Sequence, residues 1–212
     1  MRLTLDSQYA AMPWEEIDNV IFDVGNVLLT YSPDKLLRDL LPDQPELYSA
    51  LRDRVFHSPY WPMLDRGLMT SEEAIEPMSA LRPDLKPAIT RIMTGWIDLK
   101  DVIAEGVQTL EKCKAMGKRL YVLSNYNDKA FAYIRQKYDF WNLFDGFLIS
   151  GEEGLIKPDP AIYKLLIDRF QLDPARSLFI DDSHVNIEGA LYCGLQGVCF
   201  SREGKLREFF QL

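Results

Sequence analysis

Five short apolar segments, separated by amphipathic stretches, constrain what this chain can fold into more than any other feature. NVIFDV (19–24), RLYVLSN (119–125), FDGFLIS (144–150), SLFIDD (177–182) and GVCFS (197–201) read as strands. They are nearly continuous in apolar character, which marks strands covered on both faces and therefore a parallel sheet. The stretches between them carry helix signals. VIAEGVQTLEKCKAM spaces Val107, Leu110 and Lys114 on one face and stops near Gly117. Asn127 and Asp128 cap KAFAYIRQKY, with Phe131, Ile134 and Tyr138 expected on one face. PAIYKLLIDRF opens on Pro160, and HVNIEGALYC ends before Gly194. The expected fold class is α/β: a Rossmann-like parallel sheet in a three-layer sandwich, with right-handed crossovers.

Residues 34–101 break this alternation and show no strand pattern. SPDKLLRDLL has Ser32 as N-cap and Pro33 at the first helical position, and ELYSALRDRVF spaces Leu47, Leu51 and Val55 four apart. Thr70 and Glu73 form a capping box, and Ile89, Ile92, Met93 and Trp96 make one apolar stripe. The chain thus divides into a core of residues 1–33 and 102–212 and an inserted helical cap, 34–101, of three or four helices.

A net charge of −8 argues against a nucleic-acid binder, which needs a basic face to neutralise phosphates. No apolar run reaches the roughly 20 residues a membrane helix needs, and the first 18 residues lack the apolar centre of a secretory signal. Cys113, Cys193 and Cys199 form no paired framework, so a reducing cytoplasm is the expected location and buried packing their expected role. The expected state is a monomer or weak homodimer.

In an open parallel sheet, ligands bind beyond the carboxyl ends of the strands. There the segments deliver Asp23, then Ser124 with Asn125, then Lys157 from the loop GEEGLIKPDP, then Asp181 and Asp182. These are the parts phosphoryl transfer requires. A carboxylate attacks phosphorus and divides one hard step into two. Clustered carboxylates call for a cation, and their hard oxygens suit Mg²⁺. Ser124 offers a hydrogen bond to a phosphate oxygen, and Lys157 offsets charge. Backbone N–H groups after Asp23, in a tight turn allowed by Gly25, are candidates to cradle the phosphate.

Taken in order, FDVGNVL, VLSN, KPDP and FIDDSHVNIEGA resemble the four motifs of the haloacid dehalogenase superfamily, over roughly residues 18–33 and 102–201. The insert occupies the place of that family's type 1 cap. FDVGNV with LSN, KPDPAIY and the DDS and NIEGA runs resembles the branch of α-D-glucose-1-phosphatase-like proteins. The resemblance implies a Mg²⁺-dependent phosphatase of a small phosphorylated metabolite, a sugar phosphate favoured, acting through an aspartyl-phosphate. Asp23 is then similar to the nucleophile and Lys157 to the motif lysine. Gly25, Asn26, Ser124 and Asn125 fall at phosphate-binding positions. Asp23, the Gly25 carbonyl, Asp182 and a supporting Asp181 fall at metal-binding positions.

Gly25 also marks a departure, because most phosphatases of the superfamily carry a second aspartate there as acid and base. Either the leaving group is good, as an anomeric phosphate is, or the cap or a water supplies the proton; His57, Asp65 and Arg66 are candidates by residue type. The missing acid equally suits a metal-independent 2-haloacid dehalogenase, with Arg52 and Arg54 as candidate anion ligands, or a non-catalytic binding protein. The paired acids Asp181 and Asp182 weigh against the dehalogenase, as uncompensated negative charge near a carboxylate substrate, and retention of Asp23, Lys157 and Asp182 weighs against the binding protein, since buried charge without a use is costly. Trp14, Trp61, Trp96 and Trp141 are expected in packing, with Tyr60 and Trp61, in an early cap loop with His57, the alternative candidates to shape the cleft; Glu152 and Glu153 are expected in solvent, and Asn186 is a candidate to orient the metal site.

Overall fold

The computed structural model describes residues 14–200. Its centre is a five-stranded sheet in the order β3-β2-β1-β4-β5, parallel throughout. The strands are β1 (Asn19–Phe22), β2 (Arg119–Ser124), β3 (Gly146–Ile149), β4 (Ser177–Asp181) and β5 (Gln196–Cys199). Residues 1–13 and 201–212, with Ser201 of the last strand pattern, lie outside the described residues. No helix among the described residues is long and apolar enough to cross a membrane.

Side chains alternate between the two sheet faces, as strand geometry dictates. Ile21, Tyr121, Leu123 and Phe179 pack on one face against α9 (Pro160–Phe170) and α10 (His184–Tyr192). Val20, Phe22, Leu120, Val122 and Ile180 pack on the other, under α6 (Ala104–Ala115) and α7 (Asp128–Ile134). The register holds Phe22 level with Val122 on one side and Ile180 on the other, so β2, β1 and β4 end together. That common end is where the polar residues emerge.

Residues 33–95 contain helices and no strand. They are α1 (Pro33–Leu40), α2 (Tyr48–Leu51) continuing into a π-helical turn Arg52–Phe56, α3 (Trp61–Asp65), α4 (Ser71–Ser79) and α5 (Lys86–Gly95). Ser32 caps α1, and Thr70 with Glu73 forms the expected capping box on α4. Leu37, Leu51, Val55, Met78 and Ile89 from these helices join the apolar cluster that covers one sheet face. The two linkers run side by side: Leu29 bridges Val102, Thr30 N–H donates to the Asp101 carbonyl (2.8 Å), and Ile103 N–H to the Leu28 carbonyl (2.9 Å).

Three local expectations are corrected. α7 stops at Ile134, whose carbonyl accepts the Trp141 indole N–H (3.3 Å), so Tyr138 lies off the helix and donates instead to the Lys100 carbonyl (3.0 Å). The segment around Trp61, expected as loop, forms α3 and brings the helical segments to five. Glu153 pairs with Arg169 through two hydrogen bonds (2.5 and 2.8 Å) instead of facing only solvent.

Candidate active site

β1 runs out at Phe22, and Asp23 N–H still donates to the Ile180 carbonyl (2.9 Å), which holds Asp23 beside the end of β4. The chain then wraps tightly. The Val24 carbonyl accepts the amides of Leu28 and Leu29, each at 3.0 Å. Asn26, at φ 55°, takes the left-handed conformation, which asparagine tolerates better than most side chains. The left-handed step of the tight turn thus falls on Asn26: Gly25 has no positive φ, and a Cβ there would sit at ordinary distance, 3.8 Å from Asp23 Oδ2. The backbone cradle is corrected in part, because Asn26 N–H is spent on the Leu29 carbonyl (2.7 Å).

Asn26 instead ties the turn to the fourth strand. Its Nδ2 donates to Asp182 Oδ2 (2.9 Å) and its Oδ1 accepts from Tyr31 N–H (3.0 Å). Asn125 acts similarly on the lysine loop, donating to the Lys157 carbonyl (3.0 Å) and accepting Lys157 N–H (2.8 Å). Both asparagines line the cleft, but these polar atoms hold the framework. Ser124, by contrast, is buried at the cleft wall and its hydroxyl makes no side-chain hydrogen bond among the described residues.

Lys157 is fully buried and its ammonium bridges Asp23 Oδ1 (2.8 Å) and Asp181 Oδ2 (2.6 Å), with a third bond to the Leu123 carbonyl (3.1 Å). Asp181 also accepts Ser183 N–H (2.8 Å) and Asn186 Nδ2 (3.0 and 3.1 Å). A carboxylate has about four lone-pair sites, so these donors largely satisfy Asp181. Asn186 thus orients an acid of the site, as its position suggested.

Asp23, Asp181 and Asp182 each offer an oxygen within 4.8 Å of the others. Three carboxylates against one bridging ammonium leave two excess negative charges when all are ionised. The carboxyl pKa values reflect that crowding. Burial pushes Asp23 up to about 7; Lys157 pulls it down, and Asp181 and Asp182 add repulsion. Asp182, on the open rim, is also raised, first by desolvation and then by Asp181, with the Asn26 bond opposing. Lys157 loses from burial but gains more from Asp181 and Asp23, so it stays above its ordinary value.

A cavity of about 240 Å³ opens above this cluster. Asp23, Ser124, Lys157 and Asp182 line it together with Tyr31, Trp61, Trp96 and Tyr126. Of the aromatic candidates, Trp61 reaches the cavity, and so does Trp96, which was expected only in packing. Asp65 lines the cavity as well; His57 is exposed and faces Asp53 (3.4 Å) instead, and Arg52 is bound to Asp34. Lys100, which carried no sequence signal, sits over the rings of Tyr31 (4.7 Å) and Trp96 (5.1 Å), and burial lowers its pKa to about 8. Tyr126 was also unmarked, although it lies two residues beyond Ser124 at a strand end.

A parallel sheet thus carries a helical insert after its first strand, and an aspartate, a lysine and an acid pair meet at its strand ends. The haloacid dehalogenase-like hydrolase family matches residues 17–194, and the chain belongs to that family. It is 26% identical over 180 residues to the sesquiterpene phosphatase astK of Aspergillus oryzae, spanning 84% of this chain and 87% of that protein. It is 28% identical over 126 residues to (S)-2-haloacid dehalogenase 4A of Burkholderia cepacia, 59% of this chain and 54% of that one. In fold it resembles a HAD family enzyme of Bacteroides thetaiotaomicron in complex with magnesium and inorganic phosphate. The TM-score is 0.71 at 20% identity, covering 88% of this chain and 96% of that one.

Proposed function

We propose that the protein is a Mg²⁺-dependent phosphatase acting on a small phosphorylated metabolite through an aspartyl-phosphate on Asp23. The observation that carries this reading is the convergence of Asp23, Asp181 and Asp182 around the single Lys157 ammonium at one cavity, with two negative charges in excess when all three acids are ionised. Hard carboxylate oxygens converging without enough counter-charge fit a divalent cation. Asp23, Asp182 and the Gly25 carbonyl, which accepts no hydrogen bond among the described residues, would hold it, with the already satisfied Asp181 behind them. Bound Mg²⁺ would supply charge neutralisation between an anionic phosphate and an anionic nucleophile.

The chain's own groups do the rest. Lys157 fixes Asp23 Oδ1 and so sets the direction of the carboxylate. Ser124, which lines the cavity, would donate to a phosphate oxygen, and the aromatic walls would exclude water while the phosphoryl group moves. The similarity to a sesquiterpene phosphatase and to a structure holding magnesium and phosphate supports a phosphatase. Lys100 and Asp65 on the cavity wall favour a hydroxylated leaving group, such as a sugar, over a hydrocarbon that would leave both unpaired.

The dehalogenase relative and Gly25 support a second reading, metal-independent hydrolysis of a 2-haloacid. Neither Arg52 nor Arg54 lines the cavity to receive a carboxylate or halide. One panel separates the readings: sugar phosphates, prenyl phosphates, nucleotides, acyl phosphates and 2-haloacids, each with Mg²⁺ and with EDTA. Phosphate release that EDTA abolishes is expected; halide release that survives EDTA would replace this reading with the other. Asp182→Ala is expected to weaken Mg²⁺ binding by about 10- to 100-fold, read by calorimetric titration. An unchanged titration would remove Asp182 from the ligand set.

A further inference from the structure

A phosphate ester of an ordinary alcohol leaves as a poor alkoxide unless a proton reaches its oxygen, and Gly25 has none to give. Among the described residues, Asp65 is the one carboxyl lining the cavity outside the Asp23, Asp181 and Asp182 group. Its position is built into the docking of the cap. The Ser150 hydroxyl donates to the Asp65 carbonyl (2.5 Å) while accepting Tyr126 N–H (2.9 Å), and Asn127 Nδ2 donates to the Leu64 carbonyl (3.4 Å). Just beyond, Gly67 at φ +67° passes so close to the core that a Cβ would fall 2.2 Å from the Gly151 carbonyl oxygen. A clamp of this kind, between segments 85 residues apart, fixes the end of α3 against the strand ends and turns one acid of the cap into the reaction chamber.

We propose that Asp65 supplies from the cap the acid and base that position 25 lacks; this rests on the phosphatase reading above. In the first step an Asp23 oxygen bonds to phosphorus, the bond from phosphorus to the ester oxygen breaks, and that oxygen takes the Asp65 proton. In the second, water bonds to phosphorus on the side the alcohol vacated and gives its proton to the Asp65 carboxylate. The bond to Asp23 then breaks, releasing phosphate and restoring both acids. One residue serves both steps because the alcohol leaves and the water enters on the same side.

The surroundings suit a neutral acid. Burial raises the Asp65 pKa to about 7, against the pull of Lys157 and Lys100 and with the push of Asp23. Tyr31 and Tyr126 also line the cavity, and the Tyr126 hydroxyl is buried with no hydrogen-bond partner among the described residues.

The test is a series of phosphate monoesters from p-nitrophenyl to simple alkyl, assayed with Mg²⁺ on wild type and Asp65→Asn, with thermal melting to check folding. Wild-type kcat/KM should vary little with leaving-group pKa, because the proton is supplied. In Asp65→Asn, kcat/KM for alkyl esters should fall on the order of 10²- to 10³-fold, and for p-nitrophenyl phosphate much less. The variant should also show a burst of one p-nitrophenolate per enzyme, since the water step loses its base. An equal loss across the whole series would make Asp65 merely structural and overturn the proposal, as would no loss on alkyl esters. A steep leaving-group dependence in the wild type would overturn it without any variant. A wild type inert to every ester would instead sink the phosphatase reading itself.

Discussion

Replacing Asp23 by asparagine is expected to reduce phosphatase turnover by about 10⁴-fold or more, the scale seen when a nucleophile is removed from a working site. The fold should survive. Asp23 makes one hydrogen bond to Lys157 through Oδ1, and an asparagine oxygen accepts the same bond in the same volume. Removing a carboxylate from a cluster with two excess negative charges also relieves repulsion, so the metal-free melting temperature should hold or rise. Steady-state kinetics and a thermal melt on one sample check both halves. Near-normal turnover in Asp23→Asn would remove Asp23 from the chemistry.

Lys157→Met is expected to cost both activity and stability. The ammonium is buried and bridges Asp23 and Asp181, and Asp181 is itself completely enclosed. Methionine fills the space but leaves two buried carboxylates uncompensated, a loss of about 3–5 kcal/mol for a broken buried pair. The deficit should depend on pH in a defined direction. Without the lysine, the Asp23 carboxyl rises further above its already raised value of about 7. A carboxyl whose folded pKa is raised stabilises the fold below its unfolded pKa of about 4 and loses that contribution as pH climbs through the folded value. In EDTA, Lys157→Met should therefore fall furthest behind wild type at pH 8 and recover ground at pH 5, measured by urea unfolding. A deficit independent of pH would mean the lost term is packing, not charge.

Much of the site is legible along the chain because parallel sheets put function at strand ends. Asp23, Ser124 and Asp182 each follow an apolar strand directly, and the level register of Phe22 with Val122 and Ile180 brings those ends together. Lys157 is further from its strand, yet its loop carries a recognisable sequence. The cap helices are legible locally as well, through Ser32, Thr70 and Glu73. What could not be read is how the cap seats on the core. The contact of Ser150 with Asp65 and the near collision of Gly67 with Gly151 join segments without a shared local pattern. Lys100, Trp96 and Tyr126 become cavity walls only through that seating, so their residue types alone say nothing of the role. The turn after Asp23 is legible only in part: a tight turn was expected beside Gly25, but the left-handed residue is Asn26, whose side chain also holds Asp182.

On the proposed reading, Asp23 accepts a phosphoryl group at a site completed by Mg²⁺. Beryllium fluoride, which mimics an aspartyl-phosphate, tests it without a known substrate. Fluorine NMR of the protein with beryllium fluoride should show bound fluoride resonances that require Mg²⁺ and vanish in Asp23→Asn. Resonances unchanged in that variant, or none at all at saturating Mg²⁺, would contradict the account.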